Sequence, residues 1–133
     1  MSNHEPVVVS EAAGAVLRTL NPGLVEALSA DLEDFAPGVT SLIVETAYGG
    51  LYSRPGLDLK SRQLATVAAL TALGGHTGPQ LQANIRHAVA AGAAEEEIVE
   101  VVLQMLIYAG APAVINALWA ARAVLRPDEV PSG

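Results

Sequence analysis

Residues 72–93 read ALGGHTGPQLQANIRHAVAAGA, and the fold turns on how this stretch is read. The Gly74-Gly75 pair ends whatever helix precedes it, since glycine is poorly tolerated in a helix interior. Thr77 stands where a helix cap is needed, Pro79 sits just inside the next helix, and Gly92 closes it. The stretch is therefore the turn and second arm of a helical hairpin. On that arm Gln80, Asn84 and His87 fall three or four residues apart and share one face.

Upstream, Asp58 caps the first arm, which runs to about Leu73 with Leu64, Val67, Ala68 and Thr71 on one face. Before it lies LYSRPGLD, an irregular connector containing Arg54, Pro55 and Gly56. Pro37 begins a helical segment that ends at Gly49-Gly50. Asn21 as cap and Pro22 as first helical residue start a helix whose stripe of Leu24, Leu28 and Leu32 reaches Phe35. Ser10 caps a short helix to about Leu20, with Glu11 in its first turn.

Downstream, Glu95, Glu96 and Glu97 occupy a first turn, where the backbone dipole favours anions. Residues 93 and 94 are both alanine, an omission of a capping side chain that costs about 1 kcal/mol. A last helix runs from near Pro112 to Leu125. Helical periodicity is nearly continuous and no strand pattern emerges. The expectation is one all-α domain over residues 1–133, with six or seven helices and loose tails at 1–9 and 127–133.

Composition bounds the chemistry. Apolar residues make up 51% of the 133 and aromatic residues only 4%, so the core is filled by Ala, Val and Leu. That surplus of small apolar surface points to self-association. The net charge is −7 and the six arginines and one lysine are scattered, which leaves no footprint for nucleic acid or an anionic membrane. The absence of cysteine excludes disulfides, thiolate nucleophiles and sulfur metal sites. The three histidines lack HxH or HxxxH spacing, so no metal site is expected. The amino terminus does not read as a signal peptide, and a cytoplasmic protein is expected. Val101 to Ala121 carries no charge and has the length of a membrane span, but Gly110 and Pro112 interrupt it. It reads as two buried helices joined by a tight turn, with Gln104 and Asn116 hydrogen-bonding across helices.

The segments YGGLYSRPGLDLKSRQLATVAALTALGG, Ile85-Arg86 to Gly92, EEEIVEVVLQMLIYAGAP and Asn116-Ala117-Leu118 resemble the carboxymuconolactone decarboxylase family of the alkylhydroperoxidase D-like superfamily. The resemblance is best over residues 48–124. It implies an all-helical subunit assembled into homotrimers or homohexamers, with pockets around the central hairpin. It also implies decarboxylation of a small, carboxylated and therefore anionic lactone without metal or organic cofactor. Peroxidase relatives in that superfamily use two cysteines, a histidine and a glutamate. The matching positions here are Thr77, Gln80, Asn84 and Gln63, all neutral, and thiol peroxidase chemistry is excluded by the missing sulfur.

An Asn at 84 cannot exchange protons near neutral pH, so an enzyme of this kind needs another acid. His87 and His76 are the candidates for proton transfer, with Asn84 and Gln80 binding an oxyanion, and lactone hydrolysis or isomerisation needs similar parts. Glu45 is the carboxylate nearest in sequence to Gly50, where muconolactone decarboxylases often have an acid. Arg54 and Arg86 are candidates to anchor a substrate anion, because guanidinium matches carboxylate geometry. Arg62, four residues after Asp58, reads as a helix-surface ion pair. Tyr48 and Tyr108 line a pocket or pack in the core. The competing expectation is a catalytically silent oligomer that binds a small molecule, favoured by the neutral Gln63 and Asn84.

Overall fold

The computed structural model describes residues 7–129. Of the loose tails expected at 1–9 and 127–133, residues 1–6 and 130–133 lie outside the described residues. The rest is helical, with no strand among the described residues, and forms two compact units, one within Met1–Leu57 and one within Asp58–Gly133.

In the first unit, α1 (Glu11–Leu20) starts as its sequence predicts: the Ser10 hydroxyl accepts the Ala13 N–H at 3.2 Å. The helix α2 (Leu24–Leu32) starts later than predicted. Gly23 takes the cap position without a side-chain bond, and the Leu24 N–H donates to the Asn21 carbonyl. Asn21-Pro22 thus forms a turn and does not cap. The apolar stripe also stops short, since Phe35 is 91% exposed.

A short α3 (Val39–Ile43) runs directly into a π-helix, π1 (Val44–Leu51), so the segment passes through Gly49-Gly50 where the sequence predicts an end. In the wide turn the Tyr52 N–H reaches back five residues to the Ala47 carbonyl at 2.7 Å. Gly49 packs closely against the Glu45 carboxylate and the start of α1. A Cβ there would lie 2.9 Å from Glu45 Oε1 and 3.3 Å from Ser10 Oγ. Tyr48 is buried and meets Tyr52 edge to face, with ring centroids 5.2 Å apart.

The second unit contains the hairpin. The arm α4 (Leu59–Leu73) is capped by Asp58, whose carboxylate accepts the Ser61 N–H at 2.7 Å. Gly74 adopts a φ of 101°, which L side chains resist, and stops the helix there. A single 3₁₀ turn (Gly75–Thr77) leads into α5 (Gly78–Ala90). Then follow α6 (Glu95–Gln104), α7 (Leu106–Ala109) and α8 (Ala111–Leu125). Glu97 accepts the Ala94 N–H at 2.9 Å, so a carboxylate from inside α6 serves the end that has no capping side chain. The core gathers Val67 of α4, Leu81, Ile85 and Ala88 of α5, Ile98 and Val102 of α6, and Ala117 and Ala121 of α8.

The apolar stretch from Val101 to Ala121 is divided among α6, α7 and α8, and no helix among the described residues is long and apolar enough to cross a membrane. It is not two buried helices. Ile107, Tyr108 and Trp119 are largely exposed, as are Gln104 and Asn116, whose expected bonds across helices do not form. Tyr108, at 73% exposure, is no core residue.

Gln63 lies in the middle of α4 with no accessible surface, and neither its amide oxygen nor its nitrogen has a hydrogen-bond partner among the described residues. Burying an unpaired amide is unfavourable by about 1–3 kcal/mol. Methionine has a similar shape without that penalty, so Gln63→Met is expected to raise the unfolding free energy by about 1 kcal/mol or more in urea titration. A loss of stability instead would mean that the amide is paired in solution.

Candidate functional site

The hairpin turn is built around Thr77. Its hydroxyl does not cap α5, as the sequence suggests, but donates to the carbonyls of Leu70 at 2.7 Å and Gly74 at 2.8 Å. Those carbonyls belong to the end of α4, whose last backbone acceptors have no partner within the helix. The side chain therefore ties the second arm to the first. Thr77→Val keeps the shape and removes the donor, so a loss of about 1–2 kcal/mol is expected. Equal stability of the two proteins in denaturant would show that water replaces the bond without loss.

Beneath the turn is a cavity of about 260 Å³ whose polar lining includes Thr71, Thr77 and Asn116, with bare backbone at Gly74, Gly75 and Gly78. Asn116 Nδ2 is 3.5 Å from the place a Gly75 Cβ would take. Thr71 was missed in the sequence because its position on the apolar face of α4 reads as core. The spacing of the three glycines is the signal that could have shown the opening. His76 does not line this cavity; it is exposed on the 3₁₀ turn.

Along α5, Leu81, Ile85 and Ala88 form the inner stripe. Gln80, Asn84 and His87 share the adjoining face but lie at different depths. Gln80 is exposed, Asn84 is half-buried and His87 is 2% exposed. The Asn84 amide donates to the Gln80 carbonyl one turn back, at 2.8 Å. This leaves its oxygen and its second N–H for other partners. Arg86, next in sequence to His87, is exposed.

Burial disfavours the imidazolium form of His87, and the neighbouring Arg86 charge adds to this, so its pKa is lowered from 6.5. The unfolded chain then binds more protons than the native one between the lowered value and 6.5. Through His87, stability is expected to rise with pH across that window and to level off above 6.5. His87→Gln should flatten that slope in unfolding curves measured at several pH values. An unchanged slope would place the imidazole in water.

Glu45, Tyr48 and Arg54 belong to the first unit. Glu45 is held below the usual carboxylate range by hydrogen bonds from Ser10, first from the hydroxyl and then from the backbone N–H, the latter at 3.0 Å. It is thus an anion serving the start of α1. The Tyr48 hydroxyl is pushed up to about 12 by burial, with Tyr52 adding to the effect, so it stays protonated. Arg54 is exposed in the connector.

The carboxymuconolactone decarboxylase family profile matches residues 37–123. A Paracoccus denitrificans protein, described as an uncharacterized 15.0 kDa protein in the nqo9-nqo10 intergenic region, is 36% identical over 112 residues, covering 84% of each chain. The 4-carboxymuconolactone decarboxylase of Acinetobacter baylyi is 34% identical over 96 residues, covering 72% of this chain and 70% of that one. The nitrosuccinic acid decarboxylase npaB of Metarhizium robertsii is 39% identical over 77 residues, which span 58% of this chain and 52% of the relative. By the reach of the profile, and in keeping with the all-helical hairpin fold, this chain belongs to the carboxymuconolactone decarboxylase family.

Proposed function

We propose that the protein is a cofactor-independent decarboxylase of a small carboxylated lactone or related carbonyl compound, with His87 as its proton-transfer group. The observation that carries this reading is the burial of His87 beside Arg86 within the family-matched segment. Two relatives bearing decarboxylase names support the reaction class. His87 ranks above His76, which is exposed.

In this mechanism the bond from carbon to the departing carboxylate breaks, and its electron pair delocalises into the adjacent carbonyl as an enolate. The Asn84 amide, with Gln80 one turn away, donates to the enolate oxygen. A cation that gripped the departing carboxylate would hold charge where charge must be lost. Arg86 therefore suits a second anionic group on the substrate. Burial is the larger cause of the lowered His87 pKa and the Arg86 charge the smaller, so pairing that anion with Arg86 removes only the smaller and eases protonation of the imidazole as substrate binds. The imidazole then gives that proton to the carbanion, and solvent restores it. Glu45, already committed to Ser10 in the first unit, keeps α1 in place. Leu106, Ile107, Tyr108 and Trp119 are exposed apolar side chains that contact between subunits would cover, in keeping with a homotrimer or homohexamer.

The test is release of carbon dioxide from a panel of carboxylated lactones and β-keto acids, with a pH–rate profile on any that react. A limb below about pH 6.5 that disappears in His87→Gln supports the proposal. If nothing in the panel is turned over while a small acid raises the melting temperature, the protein is a binding member of the fold.

A further inference from the structure

A second cavity lies wholly within the first unit, between α1 and α2, and takes no part in the mechanism above. Its volume is about 600 Å³, well inside the range of small-molecule sites and larger than the hairpin cavity. Leu17, Val25 and Pro22 give it apolar walls, and its rim carries Arg18 from α1 and Glu26 from α2. Neither Arg18 nor Glu26 forms an ion pair among the described residues. Glu33, the other carboxylate at the cavity, is already engaged by the N–H groups of Gly38 and Thr40.

The floor includes Gly14, in the interior of α1. A glycine there weakens the helix, and packing does not require one. The nearest neighbour to an added Cβ is Arg18 Nη1 at 3.6 Å, an ordinary contact. The missing side chain instead leaves the opening deeper under the guanidinium. Apolar walls with one uncommitted cation and one uncommitted anion on opposite helices complement a molecule of the inverse pattern.

We propose that the α1–α2 cavity binds a small apolar zwitterion, an α-amino acid whose carboxylate meets Arg18, whose ammonium meets Glu26, and whose side chain fills the space over Gly14. The test is calorimetric titration of the full chain with L-leucine and L-phenylalanine, and with 4-methylpentanoate and 3-methylbutylamine, which each keep one charge. The zwitterions are expected to bind about tenfold more tightly than either single-charge analogue, and Arg18→Gln or Glu26→Gln should each lose about as much. Gly14→Leu fills the floor with a good helix former, so binding should vanish while the melting temperature holds or rises. Absence of saturable binding at about 10 mM of either amino acid overturns the proposal. So does equal binding by the acid or amine alone, or undiminished binding in Gly14→Leu. Decarboxylation assays do not enter this test, so its outcome is independent of the hairpin chemistry.

Discussion

Replacement of His87 by glutamine should lower kcat by about a hundredfold or more on any carboxylated substrate that the protein turns over, with KM little changed. Glutamine occupies a similar volume and keeps hydrogen-bonding capacity, but it has no proton to exchange. Because the residue is buried, the variant must also be shown to fold, by circular dichroism and its melting temperature. A change in kcat alone separates proton transfer from a packing role, which would disturb KM and stability together. Retention of activity within about threefold would remove His87 from the mechanism. His76→Gln provides the comparison: its ring is exposed, and little change in rate is expected.

The largest loss of stability is expected from Ile85→Ala. Ile85 has no accessible surface and sits where the core residues of α4, α6 and α8 gather around the inner stripe of α5. Deleting its buried methyl and methylene groups forfeits their transfer free energy and leaves a cavity that helices on several sides cannot close. A loss of about 3 kcal/mol follows, and a fall in melting temperature of about 10 °C. Arg86→Ala, one residue on and exposed, is the matched control and should shift stability by less than about 0.5 kcal/mol. A loss below about 1 kcal/mol for Ile85→Ala would mean that the site collapses freely and that the core is loosely packed.

The hairpin was legible because its punctuation is local. Gly74 ends one arm through its own backbone conformation, and Asp58 caps the other end through a bond to Ser61, three residues away. What the sequence obscured depends on distant partners. Ser10 is recognisable as a cap, but nothing near it reveals that its N–H donates to Glu45. Thr77 has the residue type and position of a cap, yet its hydroxyl turns to α4, because carbonyls there need a donor. Asn21-Pro22 carries a start signal that Gly23 and Leu24 override. Depth was harder to read than face. Helical spacing put Gln80, Asn84 and His87 together, but it could not tell that only the last is buried, since their types alone suggest three exposed polar side chains. Tyr108 shows the converse: aromatic type suggested a core or pocket residue, and the short α7 leaves it in solvent.

The π1 segment carries slack in the chain. Its wide turn holds one residue more than an α-helix would need to cover the same path. Excising one residue there would let the backbone close to ordinary α-helical pitch while the side chains beyond keep their facing. The same deletion inside α4 or α5 has no such reserve, and each later side chain would swing by about 100° around the axis. A one-codon deletion should therefore be borne better in π1 than in either arm of the hairpin.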